Sequence, residues 1–199
     1  GTTVGKSIPL VDANAKVTGQ AWYGDDVRLP NEIIGRIVRS PHHYAKVISI
    51  DTSKAEALPG VIAVATGDDA PNRFGVLPVT KDEHAMAVEK VRHVGDLVAC
   101  VAAVDEATAR EAVALIEVEY EVLDSIHDMK KGLEDVDEPI HWRGKYHVGS
   151  TNVQKRVFQE FGDRSMVENP NAMYHGKWKY MGVNHGFTEP HAVVAHWDS

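Results

Sequence analysis

Residues Lys90–Leu123 read KVRHVGDLVACVAAVDEATAREAVALIEVEYEVL, and three different patterns follow one another within them. At the end of this stretch, Ile116–Val122 alternates apolar side chains with glutamates, which is typical of a strand with one buried and one solvated face. Earlier in the stretch, the uncharged run Leu97–Val104 predicts a strand that is covered on both faces. The stretch therefore contains two strands of different environment.

A helix is predicted between these two strands. Asp105 is placed to act as its N-cap, where a carboxylate accepts hydrogen bonds from the free backbone donors of the first turn. The helix is expected to cover Glu106–Leu115, with apolar residues at helical spacing at Ala109, Ala112, Val113 and Ile116. Strand, helix and strand then form a β-α-β unit, with the helix packed on the uncharged strand.

The same succession occurs upstream. A short strand is predicted over residues 47–50, and Ser53 and Glu56 have the spacing of a capping box at the start of a helix. The Pro-Gly pair at 59–60 is expected to end that helix before the apolar strand Val61–Thr66. Two such units predict an α+β domain with a mixed sheet, in which any crossover between parallel strands is right-handed. The strand order is left open.

Composition limits the classes of function. A chain of 199 residues with 43% hydrophobic content can bury a sizeable core as one domain, or as one domain and part of another. The net charge of −8 argues against sequence-independent binding of nucleic acid. The single cysteine, Cys100, excludes an internal disulfide framework and a cysteine-ligated iron–sulfur cluster held by this chain alone, and we expect it to be buried. No membrane-spanning run or charged leader is present, so a soluble, cytoplasmic protein is expected.

The sequence changes character after Leu123. Residues 124–159 are rich in charge, glycine and histidine and show no sustained periodicity, which favours a connecting segment between two structural units. A new region opens at Phe161, in which Met173–Met181 and His191–Trp197 have the composition of strands. Two strands without a partner are marginal, so we expect this tail to complete its core against something outside the 199 residues.

No catalytic, cofactor-binding or metal-binding residue is assigned from the sequence. The eleven histidines show no metal-ligand spacing, and the glycines form no phosphate-binding motif. Neighbouring histidines such as His42 and His43 are expected to point in opposite directions. Ser40 lacks the context of an activated nucleophile, and Glu189 with His191 fits the polar rim of a strand better than an acid–base pair.

Three blocks of the chain resemble, in order and almost without gaps, the hammerhead domain of the xanthine dehydrogenase and aldehyde oxidase family. They are KVTGQAWYGDD at Lys16–Asp26, LPNEIIGRIVRSPHHYAKVISIDTSKAEALPGVIAVATGDDAP at Leu29–Pro71, and VRHVGDLVACVAAVDEATAREAVALIEVEYEVL at Val91–Leu123. The final residues 161–199, with EPH at 189–191, resemble the beginning of the molybdenum-cofactor-binding region that follows the hammerhead in these enzymes.

The resemblance implies a domain order. It divides the chain into an N-terminal arm (1–15), an α/β-hammerhead domain (16–124), a linker (125–160) and the start of the cofactor-binding domain (161–199). Within the family, FGVLP, the short acidic insert and VGD at Arg73–Asp96 look most like the large subunit of 4-hydroxybenzoyl-CoA reductase.

The resemblance also implies a chemistry and a set of partners. Family members are molybdopterin-dependent oxidoreductases that hydroxylate, or in the reductase branch dehydroxylate, an aromatic or aldehyde substrate. Electrons pass between molybdenum, two [2Fe-2S] clusters and FAD. The implied partners are the remainder of the molybdopterin subunit, an iron–sulfur subunit and an FAD subunit.

The chain departs from the family in what it lacks. The GGxFG-type loops that hold molybdopterin, and the glutamate that serves as base near the far C-terminus, have no counterpart in the 199 residues. The chain is therefore expected to bind no cofactor alone and to be a split subunit or the N-terminal piece of a large subunit, inactive by itself. The alternative is a hammerhead-like scaffold or binding module whose tail strands dock on the sheet edge of a partner.

Overall fold

The computed structural model describes residues 3–75, 80–163, 165 and 174–197. The strands in this part of the chain are β1 (Ile34–Arg39), β2 (Ala45–Asp51), β3 (Val61–Thr66), β4 (Lys90–Val91), β5 (Leu97–Ala103) and β6 (Glu117–Val122). The α-helices are α1 (Ala13–Val17), α2 (Ser53–Glu56) and α3 (Glu106–Leu115), and three short 3-10 helices cover Gly24–Asp26, Gly67–Asp69 and Lys131–Leu133.

The six strands form two sheets of three. The strand order is β1-β5-β3 in one sheet and β4-β2-β6 in the other, and all of these neighbours are antiparallel. The predicted α+β class is confirmed, whereas the prediction of one mixed sheet is wrong. Both strand–helix–strand units occur, but α2 and α3 each carry the chain from one sheet to the other. The handedness rule for parallel crossovers therefore does not apply to them.

The core lies between β5 and α3. Along β5, Ala99, Val101 and Ala103 are buried on the face that packs against Ala109 and Ala112 of the helix. Alanines on both elements let the two backbones approach closely, and larger apolar residues from β1, β2, β3 and β6 fill the margins of this cluster. A second cluster contains Ala45, Ala87, Val91 and Val98, and it shares Val38, Ile50 and Val118 with the first.

The opposite face of β5 differs from the prediction. Cys100 and Ala102 lie on that face and are only half-buried, because their neighbours across β1 and β3 are small or exposed. Gly35 and Ala63 flank Ala102 in this row and are both exposed. The predictions that β5 is covered on both faces and that Cys100 is buried are therefore wrong for the described structure.

Helix α3 forms over the predicted residues. Asp105 has an extended backbone and its Oδ1 accepts a hydrogen bond of 2.8 Å from the Thr108 N–H, as expected of an N-cap. This hydrogen bond to the ionised carboxylate lowers the pKa of Asp105 below its ordinary value of 3.8. The cap thus marks where the helix begins, and the row of buried alanines marks the face that packs against the core.

The start of α2 corrects the predicted capping box. Strand β2 extends to Asp51, so the N-cap position falls on Thr52 and Ser53 becomes the first helical residue. The Ser53 N–H donates to Asp51 Oδ1 at 3.0 Å, and the Thr52 hydroxyl donates to Glu56 Oε1 at 2.6 Å. After the helix, Gly60 has φ +95°, a left-handed conformation that favours glycine. The strand Val61–Thr66 is confirmed.

The described chain divides into two compact units, one of residues 32–162 and the other of residues 1–31 together with 163–199. The segment 125–160, predicted as a linker, lies entirely within the unit of residues 32–162. Its backbone bonds to itself between Val136 and Ser150 at 2.7 Å, and Gln154 accepts a 2.6 Å hydrogen bond from the Thr80 hydroxyl. The domain boundaries drawn from the sequence stay predictions.

No strand forms over residues 174–197, so the two strands predicted there are not observed; Met173 itself lies outside the described residues. Strands need a hydrogen-bonding neighbour, and these residues find none in the described chain. Several large apolar side chains are exposed here, including Tyr174, Trp178, Tyr180, Phe187 and Trp197. In the part of the chain described, no helix combines the length and apolar character required to cross a bilayer.

Replacing Val101 tests the packing between β5 and α3. Val101 is 1% exposed, so Val101→Ala removes two buried methyl groups and is expected to lower the free energy of unfolding by about 2 kcal/mol. Val122→Ala makes the same chemical change at a side chain that is 63% exposed and is expected to cost less than about 0.5 kcal/mol. Chemical denaturation measures both, and equal losses would contradict this description of the core.

The cap of α3 predicts a specific pH dependence. The folded-state pKa of Asp105 is lowered, so its stabilising contribution is fully present above its ordinary value of 3.8 and is lost as the pH falls through the folded value. Asp105→Asn keeps a capping oxygen but does not titrate. Unfolding free energies measured from neutral to strongly acidic pH should show wild type losing more stability than Asp105→Asn below the ordinary pKa of 3.8; parallel curves would refute the prediction.

Candidate functional site

A cleft of about 360 Å³ lies within residues 32–162, between the segment that follows β3 and the segment 137–143. We call it the Asp82 cleft after the buried carboxylate in its wall. It is lined by charged and aromatic side chains from both segments, among them Arg73, Lys90, Arg92, Glu138, His141 and Trp142. The two segments are far apart in sequence. The contacts within the cleft therefore hold residues 137–143 against the segment that follows β3.

Asp82 is the central contact. It is only 4% exposed, and its Oδ2 accepts a hydrogen bond of 2.7 Å from the Trp142 backbone N–H. The Nδ1 of His141 lies 3.3 Å from its Oδ1, and a guanidinium nitrogen of Arg92 lies 3.5 Å from Oδ2. A buried carboxylate is tolerated because these groups satisfy it. Arg92 also donates through Nε to the Ile140 carbonyl at 2.9 Å, which fixes the same segment a second time.

A second ion pair joins the walls of the cleft. Lys90, at β4, contacts the Glu138 carboxylate, and its ammonium lies 5.8 Å from the centre of the Tyr44 ring. Burial disfavours the charged ammonium, yet the bond to Glu138 and the proximity of Tyr44 raise the pKa of Lys90 above its ordinary value. The same contact lowers the pKa of Glu138. Both partners are therefore held in their charged forms.

The amino-acid sequence does not reveal this site. Two of the eleven histidines, His84 and His141, line the cleft, and the sequence predicts no role for either. Asp82 stands in a charged stretch, KDEH at 81–84, in which nothing distinguishes the one buried carboxylate from its neighbour Glu83, which is exposed. Trp142 lies in a segment without periodicity. The sequence offers one indication only, that Trp142 stands in a run of mostly charged and polar residues, HWRGKYH at 141–147. This pattern does not indicate which residues Trp142 contacts.

The histidines and the serine of the loop after β1 have structural contacts. His42 packs edge-on against Tyr120, whereas His43 packs against His127. Both residues lie in the loop between β1 and β2 rather than in a strand, so the strand alternation behind the prediction does not apply to them. The buried Ser40 hydroxyl accepts from the His42 N–H at 3.0 Å and donates to the His42 carbonyl at 3.1 Å. These bonds hold the loop, and they leave Ser40 in the role of a turn residue.

Gly67, Glu189 and His191 have no shared chemistry. Gly67 is buried, and a Cβ there would lie 2.6 Å from the Ala87 carbonyl oxygen, so close backbone packing explains the glycine. Glu189 is exposed and contacts the Gly24 N–H at 3.5 Å within their own unit, while the His191 ring lies 5.7 Å from that of Phe187. The structure does not bring Glu189 and His191 together as a hydrogen-bonded pair.

Comparison with known proteins identifies the family. The sequence model of the aldehyde oxidase and xanthine dehydrogenase a/b hammerhead domain matches residues 18–124. The chain belongs to this family. The match ends one residue after Leu123 and so covers both sheets and α3, but it stops before the segment 137–143 that completes the Asp82 cleft.

Two curated relatives of this family extend the comparison. The nicotinate dehydrogenase large molybdopterin subunit of Eubacterium barkeri is 33% identical over 98% of this chain and 45% of its own length. A probable xanthine dehydrogenase subunit of Bacillus subtilis is 37% identical over 76% of this chain and 20% of its own length. The chain therefore spans less than half the length of these relatives.

A solved structure supports the fold assignment. The crystal structure of Cu,Mo-CO dehydrogenase in its carbon monoxide reduced state superposes with a TM-score of 0.66 and 34% identity, over 82% of this chain and 22% of that one. The predicted hammerhead fold is thus confirmed. The subfamily predicted from residues 73–96 is not decided by these comparisons.

The described part of the chain shows no cluster of metal-binding side chains. Over residues 3–75, 80–163, 165 and 174–197, no three His, Cys, Asp or Glu side chains are grouped so that they could hold a metal ion. The whole sequence also lacks the GGxFG-type loop pattern. No chemical step is therefore assigned to side chains of this chain.

Asp82 can be tested by substitution. Asp82→Ala leaves Arg92 and the Trp142 N–H without their acceptor and is expected to lower the free energy of unfolding by about 3 kcal/mol. Asp124→Ala, at an exposed aspartate next to the hammerhead boundary, should be close to neutral. Chemical denaturation gives both values. In addition, limited proteolysis should cleave residues 137–143 faster in Asp82→Ala; an unchanged cleavage pattern and stability would show that Asp82 does not fasten this segment.

Proposed function

We propose that this chain is a split subunit or the N-terminal part of a molybdopterin-dependent oxidoreductase, to which it contributes structure rather than catalytic residues. The observation that carries the proposal is the match of residues 18–124 to the hammerhead domain, together with an alignment to the Eubacterium barkeri molybdopterin subunit that takes in 98% of the chain. The relatives' names supply the reaction class, an oxidation–reduction at a molybdenum-containing cofactor.

The two relatives differ in length. An alignment of 199 residues is 45% of the Eubacterium barkeri subunit, while one of 154 residues is only 20% of the Bacillus subtilis protein. The first relative is therefore much the shorter, although its name calls it a large molybdopterin subunit. The difference is consistent with a molybdopterin subunit that is split between chains in the first relative. Because this chain spans less than half of either relative, a split subunit and the N-terminal part of a longer subunit both stay within the proposal.

The cofactors and partners follow from the same proposal. Molybdopterin with molybdenum, [2Fe-2S] clusters and FAD are proposed to reside in the remainder of the molybdopterin subunit, an iron–sulfur subunit and an FAD subunit. When bound, the molybdenum cofactor supplies the two-electron oxidation or reduction of the substrate. The exposed aromatic residues between Tyr174 and Trp197 support docking of this chain on such a partner, because large apolar side chains in water mark interaction surfaces. The cytoplasm is the proposed location.

The finer assignment to the 4-hydroxybenzoyl-CoA reductase branch remains part of the proposal. It rests on FGVLP, the acidic insert and VGD within residues 73–96, where Asp96 takes the place of the commoner glutamine. In the structure both carboxylate oxygens of Asp96 accept backbone hydrogen bonds, from Arg92 at 2.9 Å and from Leu97 at 3.1 Å. Asp96 therefore stabilises the turn before β5, and this role alone does not specify a substrate.

The competing proposal is a scaffold or binding module that docks by its tail strands. Residues 174–197 form no strand in the described chain, so the module would have to acquire its strands on binding. The enzyme part is the better supported of the two, because the family match covers the folded core and the alignment continues through the tail.

Purification of the native protein through a tag on this chain distinguishes the two proposals. We expect co-purification of chains that carry the GGxFG-type loops and iron–sulfur clusters, with molybdenum in the complex and none on the isolated chain. Native mass spectrometry and metal analysis measure these outcomes. A monodisperse monomer with ordered tail strands would favour the module, and stoichiometric molybdenum on the chain alone would overturn the proposed division of roles.

A further inference from the structure

Within the described residues, two cations that line the Asp82 cleft, Arg73 and Arg143, form no ion pair with a carboxylate. Arg143 instead donates to the backbone carbonyls of Val136 and Asp137 at 2.9 and 3.4 Å, whereas Arg73 is the one with an aromatic contact. The guanidinium carbon of Arg73 lies 6.0 Å from the centre of the Trp142 ring, which is the outer range of a cation–π contact. Across the part of the chain that the structure describes, no carboxylate forms an ion pair with Arg73. Arg73 is exposed and Trp142 is 58% exposed, so both are accessible from the cleft.

The carboxylates that line the cleft form no ion pair with Arg73 in the described residues. Asp82 is occupied by Trp142, His141 and Arg92, and Glu138 is paired with Lys90. The two other acidic side chains, at positions 89 and 137, are exposed. The Arg73 guanidinium is thus left with an aromatic contact and with no carboxylate at ion-pair distance.

We propose that this Arg73–Trp142 part of the Asp82 cleft binds an oxyanion, the carboxylate or phosphate group of a small molecule. A guanidinium uses its flat face in a contact with an aromatic ring, while its N–H donors lie in the plane and can form two parallel hydrogen bonds to an oxyanion. The cleft volume of about 360 Å³ lies within the range of small-molecule sites.

The surrounding contacts preorganise this site. Asp82 holds the Trp142 backbone at 2.7 Å and positions the His141 ring, and Arg92 holds the Ile140 carbonyl. The backbone that carries the Trp142 ring is therefore fixed by a buried contact, so little backbone order has to be gained there on binding. The proposal is independent of the molybdenum chemistry, because every residue it uses lies within residues 32–162.

Isothermal titration calorimetry tests the proposal on the full chain, at constant ionic strength. Inorganic phosphate and acetate are titrated separately, and the anion bound more tightly shows which group the site prefers. We expect saturable binding by wild type. Arg73→Gln should raise the dissociation constant about tenfold or more, the loss expected when charge-assisted hydrogen bonds are removed. Arg156→Gln removes the same charge from an exposed arginine outside the cleft and should bind as wild type does.

A second variant keeps the test decisive if Arg73→Gln does not fold. Arg73→Lys retains a cation over Trp142 but not the two-pronged donor, and it should bind more weakly than wild type and more tightly than Arg73→Gln. Absence of saturable binding of both anions by wild type would overturn the proposal. So would equal affinities of wild type and both Arg73 variants. Neither result would affect the family assignment or the proposed part in an oxidoreductase, which the co-purification experiment tests separately.

Discussion

The packing of β5 against α3 is the contact on which the rest of the structure depends. β5 is the central strand of its sheet, so it supplies hydrogen bonds to β1 and β3 on its two sides, while its Ala99, Val101 and Ala103 receive the helix. The helix then returns the chain to the other sheet at β6. Small residues of β5 pack against small residues of α3. A larger side chain at any of these buried positions would push the helix away from the strand, and the resulting loss of stability would affect both sheets.

Asp82 attaches the segment after the hammerhead to the rest of the unit, just as the packing of α3 joins the two sheets. Residues 137–143 form no helix or strand, and they are instead held by a few polar side chains, chiefly the buried Asp82 together with Arg92 and Lys90. Such a link is directional and depends on a few groups, whereas hydrophobic packing is distributed over many. The family match ends at residue 124, yet the unit with its own core continues to 162 because of these polar contacts.

What could be predicted from the sequence follows from the range of the interactions. Helix α3, its Asp105 cap and the strand Val61–Thr66 depend on neighbouring residues, and each appears in the sequence as a periodicity or a cap. The division into two antiparallel sheets depends on which strands pair across the chain, and a β-α-β pattern is compatible with either answer. For the same reason the sequence does not indicate the cleft, since Asp82 meets the Trp142 backbone at 60 residues' separation. The prediction for Cys100 is wrong because its strand is apolar on both faces but covered on one.

The two units differ in how much of their apolar surface they bury. In residues 32–162, two linked clusters remove alanines and valines from water, and polar bonds close the margin. In residues 174–197, by contrast, the large aromatic side chains Trp178, Tyr180 and Trp197 are exposed, and each carries an unfavourable hydration term that a neighbour would relieve. The backbone hydrogen-bonding groups of this segment add to this, because an adjacent strand would satisfy them. Backbone pairing and aromatic burial would therefore both be gained in the proposed docking of this tail on a partner.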